Sequence, residues 1–158
     1  MGLLARDVME RHVITLSPND PISNVHRLFV EEGIHGAPVV DETGRLLGVV
    51  SSLDLLRSAA EVHDLPEPDP RDLRQILDLG NRSFGLDVEA GGAAEPTVAD
   101  VMTDGPMVSV RPDAPIPAVA RVLRENAVHR AIVVEGRHVC GIISSFDLLR
   151  VLEEEDAR

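Results

Sequence analysis

Two short stretches of the 158-residue chain set hydroxyls and a carboxylate just behind a small apolar run. They are Gly48-Val49-Val50-Ser51-Ser52-Leu53-Asp54 and Gly141-Ile142-Ile143-Ser144-Ser145-Phe146-Asp147, each followed by Leu-Leu-Arg. The run Leu46 to Val50 has the β-branched content of a buried strand. Ser51 and Ser52 then stop the strand and offer hydroxyls to the free N–H groups of a helix beginning near Leu53. Asp54 falls in that helix's first turn, where the helix dipole favours a negative charge. Hydroxyls and backbone N–H groups at such a spot can hold a phosphate, and a carboxylate can accept hydrogen bonds from ribose hydroxyls. Ser and Asp are also good helix starters, and one copy would carry only that plainer meaning. The second copy, in register, favours a binding role for Ser51, Ser52, Asp54, Ser144, Ser145 and Asp147.

The elements that position these residues repeat as well. Ala5 to Met9 reads as a short helical turn matched by Val98 to Met102, with Met9 and Met102 standing 93 residues apart. Thr97 with Asp100 three residues on resembles a capping box. Val13 to Leu16 and Met107 to Val110 read as short strands, ended by Pro18 and Pro112. Asp20-Pro21-Ile22 opens a helix with a cap and a proline at its first position, its face lined by Ile22, Val25, Leu28 and Phe29 and its end closed by Gly33. Ala114-Pro115-Ile116 opens the second copy, with Val119, Val122 and Leu123 on the face. Ala37 to Val40, a turn through Asp41 to Arg45 containing Thr43-Gly44, and Leu46 to Val50 form a hairpin. Its counterpart runs Ala131 to Val134, Glu135 to Arg137 and His138 to Ile143. The closing helices carry apolar residues on more than one face, so one face packs on the sheet and the other wants a second partner. The expected fold is α/β (α+β): two pseudo-symmetric repeats of strand-helix-strand-strand-helix, each with a small mixed sheet packed by helices. The repeats span 1–60 and 97–158, with an acidic insert over 61–96. In the insert, Asp69-Pro70, Leu73, Ile76, Leu77 and Leu79-Gly80 predict one short amphipathic helix.

Composition narrows the function classes. Hydrophobic residues make up 44% of the chain and mean hydropathy is +0.03, the balance of a folded, soluble protein. No apolar run approaches the roughly 18 residues of a membrane span, and no signal-peptide pattern opens the chain. The single Cys140 lies in an apolar strand pattern as a buried thiol, and with no internal disulfide to form a cytoplasmic location is expected. The net charge of −12 argues against a nucleic-acid polymer as partner. Most of it is local: residues 58–96 carry nine acids against three arginines, and the tail 151–158 a net of −3, leaving −3 elsewhere. A near-neutral body need not repel a small anion. With no Trp, no Tyr and only Phe29, Phe84 and Phe146, the chain lacks a stacking platform for bases. His12, His26, His35, His63, His129 and His138 show no metal-ligand spacing. The acids have no activated nucleophile beside them and no Gly-rich phosphate loop is present, so no enzymatic activity is expected.

Each copy resembles a cystathionine-β-synthase (CBS) domain, and the pair looks like a Bateman module. The resemblance rests on Asp7-Val8-Met9, Thr15-Leu16-Ser17-Pro18, Ala37 to Asp41 and Gly48 to Asp54. In the second copy it rests on Asp100-Val101-Met102, Ser109 to Pro112, Val133-Val134-Glu135 and Gly141 to Asp147. It covers about three quarters of the chain, and the ordered series repeated twice is far more specific than any one motif.

In that family a cleft between the repeats often takes an adenosine nucleotide, here AMP or ATP. The resemblance implies that Asp54 and Asp147 bind ribose, and that Ser51, Ser52, Ser144 and Ser145 lie beside phosphate or ribose. It places Thr15 and Ser109 near base or ribose. His129-Arg130 resembles the basic pair that meets phosphate, since Arg presents a planar fork of donors. His35 has Gly36 where the second copy has Arg130, and Ile132 stands where the first has Pro38. His35 and His129 have a plainer reading too, as cations finishing a helix C-terminus. The module implied is a regulatory sensor of an adenosine nucleotide, homodimeric through exposed helix faces that include Leu55, Leu56, Leu148 and Leu149, and signalling to a regulated partner protein. The alternative is a ligand-free dimerisation scaffold.

Overall fold

The computed structural model describes residues 2–62, 95–104 and 107–156. The helix expected over Asp69 to Gly80, and Phe84, lie outside the described residues. The elements in order are α1 (Ala5–Val8), α2 (Ile22–Glu32), β1 (Gly36–Val40), β2 (Leu46–Ser51), α3 (Ser52–Val62), α4 (Val98–Val101), β3 (Ser109–Val110), α5 (Ile116–Glu125), β4 (Arg130–Glu135), β5 (His138–Ser144) and α6 (Ser145–Asp156). They gather into two compact units, one of residues 1–15, 40–47 and 104–158, the other of residues 16–39 and 48–103. Each unit therefore takes its short leading helix from the other sequence repeat.

In the first unit, β3 pairs parallel with β4 and β4 antiparallel with β5. The register slips between Val133 and Val134, which pair with Gly141 and Val139. Cys140 is the extra residue of this bulge, and its Sγ lies 3.3 Å from the Val133 carbonyl oxygen as a donor. Burial pushes the Cys140 thiol up, and the Glu135 charge acts in the same direction. α5 packs on the sheet through Val119 and Leu123, with Val122 half-buried beside them. Ala5 and Met9 of the leading segment join Val133, Ile143 and Ala131 in one core. The segment is tied in by Ala5 N–H to the Ala114 carbonyl (2.8 Å) and by paired bonds between Glu10 and Ile142 (2.9 Å each). Gly141 lets the Met9 side chain pack close against β5: a Cβ on it would come within 2.8 Å of Met9 Cγ.

The second unit repeats the arrangement around Leu16, Ile22, Val25, Phe29, Val39, Val50, Leu55 and Val98, all buried. Here the leading helix is α4. Thr97 and Asp100 form the expected capping box, the Thr97 N–H donating to the Asp100 carboxylate at 2.8 Å. Val98 N–H reaches the Asp20 carbonyl at 2.9 Å, and Val49 and Thr103 exchange two backbone bonds of 3.0 and 3.1 Å. Gly33 ends α2 in the left-handed conformation with φ 63°, as its position predicts.

Three expectations are corrected. The strand over Val13 to Leu16 reduces to a single parallel bridge between Leu16 and Val39. The next rung back would need an N–H from Pro38, which has none. In the second repeat Ile132 fills that position and donates to the Val108 carbonyl at 3.2 Å, and the two-residue strand β3 forms. Asp20 does not cap α2 with its side chain, and Pro21 is the residue before the first helical one. The Asp20 carboxylate instead accepts from the Ser17 N–H at 2.8 Å and closes the preceding turn. Finally, Leu55 is buried within its own unit and Leu148 is half-buried against the core. The apolar residues left in water on α6 are Phe146, Leu149 and Leu152, 80%, 53% and 58% exposed.

Candidate functional site

The serine-aspartate stretch folds the same way in both repeats. β2 ends at Ser51 and α3 begins at Ser52; β5 ends at Ser144 and α6 begins at Ser145. The strand's last residue thus doubles as the helix cap. Asp54 Oδ2 accepts from the Ser51 N–H at 2.7 Å and from its hydroxyl at 2.8 Å, while the Asp54 N–H points back to Ser51 Oγ at 3.3 Å. Asp147 and Ser144 make the same three bonds at 2.7, 2.7 and 3.3 Å. This reciprocal cap uses one oxygen of each carboxylate and holds the side chain in a fixed direction. Both aspartates are half-buried, neither sealed in the core nor free to swing.

The second serine of each pair binds the strand before it. Ser52 N–H donates to the His35 carbonyl at 2.9 Å, and Ser145 N–H to the His129 carbonyl at 2.9 Å. Each unit thereby brings the start of one strand against the start of a helix, and His35 and His129 are located by their backbones while their side chains are exposed. Neither finishes a helix. α2 stops at Glu32 and is followed directly by left-handed Gly33, while α5 stops at Glu125 and is followed by Asn126 (φ −93°) and then left-handed Ala127 (φ 52°). The plainer reading of the two histidines as helix-terminal cations is therefore set aside.

In the first unit Arg130 pairs with Ser144 across β4 and β5, and Ser109 pairs with Ile132, two residues from Arg130. Ser109, His129, Arg130, Ser144, Ser145 and Asp147 accordingly share one end of the three-stranded sheet. In the second unit Ser51, Ser52 and Asp54 meet His35 in the same way. Gly36 takes the place of Arg130 there, and a Cβ on it would lie 3.3 Å from the Val50 carbonyl oxygen. Thr15 is exposed and directly precedes the bridged Leu16.

Sequence reasoning passed over Arg150. Its Nη2 lies 3.0 Å from Asp147 Oδ1, an i,i+3 ion pair on the outer oxygen of that carboxylate. The Asp-x-x-Arg spacing was the available signal, present also at Asp54 and Arg57. A shallow groove of about 270 Å³ runs along α2 past Asp20, Asn24, Arg27 and Glu31, but no residue of the serine-aspartate motif lines it. Among the described residues no three His, Cys, Asp or Glu side chains gather as metal ligands, and no helix is long and apolar enough to cross a membrane.

The small sheets, the flanking helices and the twice-repeated cap are those of a CBS-domain pair. The family model for the CBS domain matches residues 5–61 and 98–154, and the chain belongs to that family. Among relatives, the uncharacterized protein MJ1426 of Methanocaldococcus jannaschii is 31% identical over 157 residues, covering 95% of this chain and 91% of that one. The chloroplastic CBS domain-containing protein CBSX2 of Arabidopsis thaliana is 28% identical over 88% of this chain, which spans 57% of it. The fold matches that of a putative acetoin utilization protein from Vibrio cholerae with a TM-score of 0.73, at 22% identity over 100% of this chain and 99% of that one. It matches CBSX2 in complex with AMP at 0.69 and 24% identity, and the CBS pair of protein MJ0100 with 5-methylthioadenosine and S-adenosyl-L-methionine at 0.66 and 21%, each over 98% of this chain and 99% of the other.

Proposed function

We propose that this CBS pair is a non-catalytic regulatory module that binds an adenosine nucleotide, AMP or ATP, and passes its bound state to a partner protein. The observation that carries the reading is the repeated cap, which fixes a half-buried carboxylate and a serine hydroxyl at a strand end in each repeat. Asp54 and Asp147 serve as ribose acceptors, with the neighbouring serines, His35, His129 and Arg130 toward phosphate, and Thr15 and Ser109 toward base or ribose. The adenosine ligands held by the CBSX2 and MJ0100 structures support that ligand class. Calorimetric and thermal titration with AMP, ADP, ATP and S-adenosylmethionine tests it. A ligand at a hundredfold excess over its dissociation constant adds about 2.7 kcal/mol of stability. At roughly 2–4 °C per kcal/mol for a chain of this size, the cognate nucleotide raises the melting point by about 5–11 °C. Arg130→Ala then weakens binding more than tenfold, about 1.5–3 kcal/mol for a charged hydrogen bond. If no adenosine compound at millimolar concentration shifts the melt, the sensing role is lost.

The exposed Phe146, Leu149 and Leu152 favour a homodimer through α6, since contiguous apolar faces are rarely left in water. Without a ligand response, that face supports the alternative of a dimerisation scaffold, with the repeats at 1–60 and 97–158 joined by the 61–96 insert.

A further inference from the structure

Resting on the nucleotide-sensing reading above, we infer that Arg150 is a built-in competitor for the ribose at Asp147, so that the two serine-aspartate motifs are unequal acceptors of a vicinal diol. A carboxylate oxygen has two lone pairs, and each hydroxyl of a ribose diol needs one. In both motifs the inner oxygen is already filled by the serine N–H and hydroxyl. The outer oxygens differ. Among the described residues nothing donates to Asp54 Oδ1, which can take both hydroxyls of a diol. Asp147 Oδ1 holds the Arg150 guanidinium at 3.0 Å and can take one hydroxyl; the second enters only when the guanidinium leaves.

The arginine is well placed to yield. Its side chain is 65% exposed while that of Asp147 is 20% exposed, so it can rotate into water without unpacking anything. Exposed ion pairs of this kind are weak, and their loss changes an affinity by about two- to fivefold. Arg150 therefore trims the preference of the second motif for a full ribose rather than closing it. Arg57 occupies the matching helix position in the first repeat and, among the described residues, makes no ion pair with Asp54, which gives an internal control.

The test is calorimetric titration of the full chain with adenosine and with 2′-deoxyadenosine, neither of which carries a phosphate for the arginine to meet. Wild-type protein is compared with Arg150→Gln, Arg150→Lys and Arg57→Gln. Arg150→Gln is expected to strengthen adenosine binding at the weaker site about two- to fivefold and to leave 2′-deoxyadenosine unchanged, because the single remaining hydroxyl already has its lone pair. Arg150→Lys falls between, and Arg57→Gln behaves as wild type. Unchanged adenosine affinity in Arg150→Gln, or an equal gain in Arg57→Gln, overturns the inference and leaves nucleotide sensing standing. Absence of adenosine binding in all four proteins overturns the inference, and absence of binding of AMP, titrated alongside, removes the sensing role itself.

Discussion

Replacing Gly48 by alanine tests whether α4 is locked onto β2 as described. A Cβ at Gly48 would lie 2.8 Å from the Thr103 carbonyl oxygen and 3.1 Å from Met102 Sδ. The methionine can bend away, but the carbonyl cannot. Thr103 exchanges backbone hydrogen bonds with Val49 at 3.0 and 3.1 Å, so any shift that admits the methyl group stretches both. Each bond is worth about 0.5–1.5 kcal/mol net, and overpacking a tight contact costs about 1–3 kcal/mol. Gly48→Ala should therefore destabilise the fold by about 2 kcal/mol, a fall in melting point of roughly 4–8 °C. Gly141→Ala is the matched comparison. Its two nearest neighbours belong to the Met9 side chain, and the Glu10 carbonyl oxygen stands back at 3.1 Å. About 1 kcal/mol is expected, because a methionine can find another rotamer. The assay is the urea midpoint of each variant at constant slope. A Gly48→Ala midpoint at or above wild type, or a larger loss for Gly141→Ala than for Gly48→Ala, refutes the reasoning.

Ala127, two residues beyond α5, has φ 52° where Gly33, directly after α2, has φ 63°, so Ala127→Gly should relieve left-handed strain and stabilise by about 0.5–1 kcal/mol; a lower melting point would contradict this. Leu149→Glu places a charge in the exposed α6 face and should convert a micromolar dimer to monomer by light scattering, whereas a wild-type protein that is already monomeric disproves the dimer. Glu95 accepts from the Ser23 hydroxyl and from its N–H at 2.8 Å, and these bonds hold its carboxyl below 4.5. Because the folded-state value is lowered, this contribution is complete above about pH 4.5 and lost as pH falls through the folded value. Glu95→Gln should flatten the acid side of the stability profile over that window, and an unaltered slope there would remove the contact from the account.

Local pattern carried much of this molecule. Ser-x-x-Asp leading straight from a strand into a helix is a reciprocal cap at both Ser51 to Asp54 and Ser144 to Asp147, because the cap needs only residues three apart. The faces of α2 and α5 and the two hairpins were likewise legible from spacing alone, since helix period, left-handed Gly33 and turn chemistry act within a few residues. Pro38 lay in plain view, yet its effect on the first strand depends on which backbone it faces. The direction of α3 and α6 decided that Leu55 turns into the core and Phe146 into water, a choice two apolar helix faces leave open. The exchange of leading helices was decided only by the tertiary structure. The backbone bonds that seat α1 join residues more than a hundred positions apart, between Glu10 and Ile142, and no periodicity records such a pairing. Arg150 and Arg57 stand at the same offset from the same motif, and only the folded side chains distinguish the one that reaches its aspartate.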